Sequence, residues 1–291
     1  MGGGKGGIGK TVIAANLGTL LARQGKRVLL LDLDLGASNL HSFMGAAGRE
    51  KGLECYLDKA IRDLGEAAVA TGIPNLWFIG SQGCGTEAAN LHTAQKSKVI
   101  RAVQSLDYDY IFMDLGAGTH FNMLDFFLIA DQGICILTPE PTAIENTFTF
   151  IKAMYFRVVK RALKLSEFNR VTRSLDLSGN SMGQSFKIIS AVSDQDPETG
   201  DLLKRKLNEF HFQFVLNQVR GKDDPELGAK IQGVCRRHFH SRFSFLGNVR
   251  YDEQVRDAIL TERNFVTAYA RAGAANDLAR IARNIMRADY E

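Results

Sequence analysis

The chain has 291 residues, is 45% hydrophobic, and carries 36 Lys and Arg against 32 Asp and Glu, a net charge of +4. That length and apolar share suffice for one large α/β core, and the mild basicity permits contact with nucleic acid or an anionic membrane without demanding either. No apolar run reaches the ~18 residues of a membrane span, and the four cysteines form no CxxC pair, which argues against a zinc ribbon or a CxxC-held cluster and suits a reducing cytoplasm.

In chain order, a glycine-rich loop, GGGKGGIGKT at 2–11, runs into a predicted helix from Lys10 to about Arg23. Apolar runs then alternate with helical patterns: strands VLLLDLD (28–34), LWFIG (76–80), YIFMD (110–114) and GICILT (133–138), with helices over Ala94–Ser105 and Ala143 to about Leu163. The runs are rich in Val, Ile, Leu and Phe and hardly alternate, as strands buried on both faces do. The expected fold is α/β: a P-loop NTPase with a mostly parallel sheet and helices on both faces.

From about Lys164 to Lys206 this rhythm fails. The segment is polar and reads as an insertion (164–206) within a single 1–291 domain, ending in the capped-helix pattern DQDPETGDLLKRKLNEF. Strands resume at FQFVLN, with its core at Gln213–Asn217, and at FSFLGN (243–248), separated by a helix over Pro225–His238. A helix over Asn276–Arg287 follows. Its stripe of Leu278, Ile281, Ala282, Ile285 and Met286 reads as a core face rather than a membrane anchor. One element is missing from the pattern: a P-loop joins a buried central strand to a helix, and no apolar run precedes Gly2. The sequence therefore predicts a gap in the middle of the sheet, flanked by strands with unpaired backbone groups.

The loop carries the first chemistry. Gly4, Gly9, Lys10 and Thr11 meet the pattern G-x-x-x-x-G-K-[ST]. Glycines let backbone N–H groups curl round phosphate oxygens, and the helix that follows adds its positive N-terminal end. The nucleotide-binding set is thus Gly4, Gly6, Gly7, Ile8, Gly9, Lys10, Thr11 and Val12, with Lys10 on the β- and γ-phosphates and the Thr11 hydroxyl on Mg²⁺. Asp32 and Asp34 lie at a strand's carboxyl end, where ligands of parallel sheets gather. Asp114, at the end of YIFMD, has the Walker-B position for Mg²⁺, although a helix N-cap would also explain it.

KGGIGKT resembles the deviant Walker A of the MinD/ParA superfamily. That resemblance implies an ATP-dependent homodimer in which Lys5 reaches the partner's nucleotide. The stretch DLDLGASNL resembles the family's D-x-D-x-G-x-x-N-L; it implies that Asp34 positions the attacking water, that Asp32 supports the magnesium side and that Asn39 belongs to a first switch loop. Gly116, Ala117 and Gly118 then correspond to a second switch. The run from Asp114 through PEPT (139–142) most resembles the FlhG/MinD branch, with departures at Asn146 and Phe148. Near the carboxyl end, Asn217 falls where related asparagines read the adenine edge, and GNVRYDE resembles the base-closing segment, with Asp252 a second base-side candidate and Arg250 where proline is usual.

The resemblance implies ATP and Mg²⁺ as cofactors, slow ATP hydrolysis stimulated by a protein partner, and a role in placing or counting flagella or division sites, in the cytoplasm or at the inner-membrane periphery. A ParA-like DNA-partition ATPase is the alternative; it would draw on Arg236, Arg237, His238, His240 and Arg242 with Lys204, Arg205 and Lys206. An iron–sulfur carrier or reductase is disfavoured because the second switch, DLGAGTHFNMLD, has no cysteine.

Overall fold

A computed structural model describes residues 1–35, 39–44, 52–81, 91–163 and 184–288. The loop leads into α1 (Lys10–Ala22), and then come β1 (Val28–Leu33), α2 (Leu53–Leu57), β2 (Val69–Ala70), β3 (Leu76–Ile79), α3 (Thr93–Gln104), β4 (Tyr110–Leu115), α4 (Phe121–Phe127), β5 (Gln132–Leu137) and α5 (Pro141–Ala162). The carboxyl-terminal half adds α6 (Gln184–Gln195), α7 (Pro197–Glu209), β6 (His211–Val219), α8 (Leu227–His238), β7 (Arg242–Arg250), α9 (Glu253–Leu260), α10 (Phe265–Ala268) and α11 (Gly273–Ala288). Among the described residues no helix is long and apolar enough to cross a membrane.

The sheet is parallel apart from the short antiparallel β2, as the unbroken apolar runs require. It falls into two parts, β2-β3-β1-β4 and β5-β6-β7. Met1 and Gly2 stand between them. Leu115 N–H donates to Met1 O (3.1 Å), and the Met1 ammonium donates to Met113 O. On the other side Gly2 N–H donates to Ile134 O (2.9 Å) and Ile136 N–H to Gly2 O (3.0 Å). The expected gap is therefore closed at its carboxyl end by the first residues of the loop itself. It stays open towards the amino ends of β4 and β5, as a cavity of about 830 Å³ lined by Tyr110, Phe112, Met113, Ile134 and Ile285 among others.

Both faces of the sheet are covered. Phe127, Phe150, Tyr155, Phe212, Phe214 and Phe243 fill one core; Ile13, Leu17, Leu30, Ile136, Val215, Ile281 and Ile285 fill the other. The terminal stripe belongs to the second core: Leu278, Ile281, Ala282 and Ile285 are buried and Met286 packs against them, on a helix seated against β7 and α1. Helices α6 and α7 pack on α5 through a small cluster of Val159, Leu163, Val192 and Leu203. The predicted cap of α7 is present: Asp196 accepts from Thr199 N–H at 3.2 Å. Residues 164–183 of the expected insertion lie outside the described residues.

Candidate nucleotide-binding site

The phosphate loop runs from the centre of the sheet into α1. Gly9 sits at φ 86°, a left-handed conformation that begins the helix, and a Cβ there would lie 2.4 Å from Asn217 Nδ2. Gly4 passes so close to α5 that a Cβ would lie 2.1 Å from Asn146 O, so the residue at 146 contributes its backbone to shaping the loop. Both positions need glycine for different reasons, one conformational and one steric.

Lys10, on the first turn of α1, is 8% exposed. Its Nζ donates to Lys5 O at 3.4 Å. Burial lowers its pKa, while the charges of Asp114 and Asp34 oppose that shift. The lysine thus faces the two carboxylates that were expected to work beside it. Lys5 is turned elsewhere: its Nζ donates to Glu140 Oε2 at 2.6 Å and to Thr142 Oγ1 at 3.3 Å, both in the PEPT run at the start of α5 of the same chain.

Asp32 and Asp114 are direct partners across the parallel β1–β4 pair. They differ in what their oxygens do. Asp32 is fully buried; its Oδ1 accepts from Asp34 N–H (3.0 Å) and its Oδ2 from Leu40 N–H (3.2 Å). Both oxygens thus also brace the backbone that follows β1, on either side of residues 36–38. Asp114 is 2% exposed, and its Oδ1 has no hydrogen-bond partner. Burial pushes its pKa up to about 6; a hydrogen bond from Thr11 pulls against that, and Asp32 adds to it. A desolvated carboxylate with an orphaned oxygen beside the Thr11 hydroxyl is chemically suited to a hard divalent cation. Mg²⁺ is commonly held by one or two protein oxygens together with waters and substrate phosphates. Thr11 and Asp114 therefore fit Mg²⁺.

Asp34 is half-buried and lines the same cavity as Lys10, Thr11 and Ala117, with a volume of about 640 Å³. A Cβ on Gly116 would come within 3.1 Å of Asp34 Oδ1, so the second switch passes directly against this carboxylate. Gly118, at φ 102°, turns the chain out of that switch. Asn39 lines the cavity too; residues 36–38 lie outside the described residues.

At the base end, Asn217 Nδ2 donates to Ile8 O at 2.8 Å and Gln218 Nε2 to Gly7 O at 3.5 Å. The strand-end asparagine thus clamps the phosphate loop, a role its sequence position did not announce. Asp252 lines the cavity as expected, but its side chain accepts from Gln254 N–H at 3.0 Å and caps α9. Asp252 thus caps a helix at the cavity rim. Arg250, where proline is usual, is held by Asp277: backbone N–H at 3.1 Å, Nε at 2.8 Å and Nη2 at 3.1 Å. A proline would lack the first of these donors.

The phosphate loop, Asp34, Asn39 and Ala117 line one cavity, with Asp114 buried beside Thr11, and the family described as the CobQ/CobB/MinD/ParA nucleotide binding domain matches residues 1–265. The chain belongs to that family. Nucleotide and Mg²⁺ binding are properties of the family. A septum site-determining protein MinD of Synechocystis is 33% identical over 250 residues, covering 77% of this chain and 89% of its own length. The antiactivator FleN of Pseudomonas aeruginosa is 24% identical over 291 residues, covering 97% of this chain and 84% of its own. Among solved structures, MinD of Pyrococcus horikoshii complexed with Mg-ADP superposes with a TM-score of 0.67 at 19% identity, over 98% of this chain and 93% of that one. The relatives thus agree with the FlhG/MinD resemblance of the run from Asp114 through PEPT, and the CobQ/CobB/MinD/ParA fold accounts for the parallel sheet and its loop.

Sequence reasoning missed three residues of this neighbourhood. Glu140 enters the sequence reading only as part of the PEPT run, with no partner assigned to it. Asn146 acts through its backbone, which no residue type reports. Asp277 is on the terminal helix, 27 positions from the arginine it holds.

Proposed function

We propose that the chain is an ATP-driven dimeric switch that binds Mg-ATP, closes as a homodimer and hydrolyses ATP slowly until a protein partner stimulates it. The observation that carries this reading is the orphaned Asp114 oxygen beside Thr11, next to a glycine loop whose first lysine, Lys5, is exposed enough to leave its own chain. Lys10 neutralises phosphate charge, and Thr11 and Asp114 hold the cation, which spreads the charge developing on the transferred phosphoryl oxygens. Asp34 orients water for in-line attack, with positioning and charge as the source of rate. By likeness to MinD and FleN, the cellular task is the placement or counting of structures, division sites or flagella, by a protein of the cytoplasm or the inner-membrane periphery.

The test is ATP turnover and mass by light scattering for the purified chain with Mg-ATP. Lys10→Ala should lose nucleotide binding, since the phosphates lose a charge-assisted partner, and Lys5→Ala should bind nucleotide yet stay monomeric. A Lys5→Ala protein that dimerises like the parent sinks the reading. One observation favours the DNA-partition alternative: Lys204, Arg205 and His240 come together around one shallow hollow. ATP-dependent, salt-sensitive retention of duplex DNA, lost on Arg205→Glu, would decide for it.

A further inference from the structure

Helix α4 starts at Phe121, three positions after Gly118 of the second switch. Met123, Leu124, Phe126 and Phe127 of this helix are buried, whereas Phe121 is 59% exposed. The ring thus stands in solvent at the start of the helix that follows the second switch. The surroundings give it a charge. Asp125, one turn on, is fully buried and binds three cations: Arg157 at 2.6 and 2.7 Å, Arg161 at 2.7 Å and Lys96 at 2.5 Å. Burial works against the Asp125 carboxylate, but these partners hold its pKa below the ordinary range, so it stays ionised. Three cations on one carboxylate leave two positive charges over. Arg157 Cζ lies 4.9 Å and Lys160 Nζ 5.5 Å from the centroid of the Phe121 ring. Lys160 and Arg161 are exposed.

We propose that Phe121, with Arg157, Lys160 and Arg161 of α5, is the docking surface for an acidic peptide segment of a partner protein, one that places an apolar or aromatic side chain against the Phe121 ring. Charge complementarity selects this occupant. A second copy of the same patch, brought up across a twofold axis, would set like charges face to face. The surface spans two elements of different freedom. Helix α4 continues directly from the second switch, and α5 is fixed in the core through Phe150, Ile151 and Tyr155. A partner gripping both would bind the two switch states unequally, and by linkage nucleotide state and partner affinity must then affect each other. This deepens the switch reading above and rests on it for that coupling.

The probe is a short fluorescein-labelled peptide of glutamate and phenylalanine, with a twin carrying lysine in place of glutamate. Both are read by anisotropy against the full chain loaded with Mg-ATP or Mg-ADP. The acidic peptide should bind about tenfold more tightly than the lysine twin, and about tenfold more tightly than to Phe121→Ala or Lys160→Glu, with unstimulated ATP turnover unchanged in both variants. Equal binding by the variants or by the lysine twin overturns the proposal. So does duplex DNA that displaces the peptide and loses affinity in Lys160→Glu but not in Phe121→Ala, which would mark a general polyanion surface. Loss of the Mg-ATP dimer in Phe121→Ala would reassign the residue to the contact between copies and overturn the proposal as well. Peptide binding that the variants abolish but that is equal with ATP and ADP supports the docking surface and overturns the coupling to the switch.

Discussion

Lys5 Nζ lies 2.6 Å from Glu140 Oε2, so the lysine expected to cross to a partner's nucleotide is bound within its own chain, at the start of α5. The pair is half exposed, with side chains 38% and 60% accessible, and such pairs contribute only about 0–1 kcal/mol. It is therefore a weak latch. Glu140→Gln should release Lys5 and lower the Mg-ATP concentration needed for dimerisation by up to about fivefold, the factor that ~1 kcal/mol allows. Light scattering across a Mg-ATP titration measures this. A midpoint that stays put, or moves upward, removes the latch from the account.

Asp34 lies against Gly116, in the cavity that Lys10 and Thr11 also line. Asp34→Ala should leave Mg-ATP affinity within about threefold of the parent and cut turnover by about 10²-fold or more, the usual cost of losing a group that acts on the reacting water. The protein should then accumulate as an ATP-bound dimer. Turnover and the nucleotide content of the isolated dimer give the two readings; parent-like turnover contradicts the role assigned to Asp34.

Much of this was legible in the sequence, and the limits have physical causes. β1, β4 and β5 announce themselves because strands buried on both faces need no polar alternation, so their apolar runs stand out. The loop is legible because its glycines answer to backbone conformation and close approach, which are local. Asp32 is different. Its residue type and position mark a strand end, but the bonds its oxygens accept from the N–H groups of Asp34 and Leu40 do not show in the sequence, because only the fold shows where Leu40 returns. Asp125 is the extreme case. Within FNMLDFF it reads as the polar face of a helix, but it is fully buried, and its partners lie 29 to 36 positions away on α3 and α5. Nothing in the local pattern reports so distant an ion pair.

Asp114 carries a stability cost that the cation-binding role proposed for it would explain. Its pKa is raised to about 6, from an ordinary 3.8. A carboxyl whose folded pKa is raised binds its proton more tightly in the native state, so nucleotide-free stability is highest below about pH 4 in this respect and is lost as pH rises through about 6. Asp114→Asn removes the charge while keeping the shape. It should stabilise the nucleotide-free protein by on the order of 1–3 kcal/mol at pH 7.5, less so at pH 5. The same substitution should abolish Mg²⁺-dependent turnover. Thermal melts at both pH values, with turnover at pH 7.5, test the pair of effects; a variant that is destabilised at pH 7.5 refutes the charge argument.

The open cavity between β4 and β5 leads to the last prediction. Leu115 N–H and Met113 O already bond to Met1, so the odd residues of β4 face the slot, and the period of two adds Ile111. Ile134 O and Ile136 N–H bond to Gly2, so the even residues of β5 face it. The slot thus offers ladder positions on both sides and an apolar lining. At its floor is the Met1 amine, whose pKa burial lowers from 8.0 to about 6. An amine with a depressed folded pKa contributes stability above about pH 8 that is lost as pH falls towards 6, because the unfolded chain then takes up the proton more readily. A leader of about five Val, Ile and Ala residues joined to Met1 should enter as a parallel strand, pair both edges and replace the amine by an amide. With two or three backbone pairs gained at about 1 kcal/mol each, Tm should rise by roughly 5–10 °C at pH 8.5. The rise should be larger at pH 6.5, where the parent has lost the stability tied to its neutral amine. A leader of the same length with a central proline cannot complete the ladder and should give a smaller rise at both pH values. Scanning calorimetry of the three proteins decides: equal melting for the apolar and proline leaders, or no gain over the parent, would show that the cavity does not accept a strand.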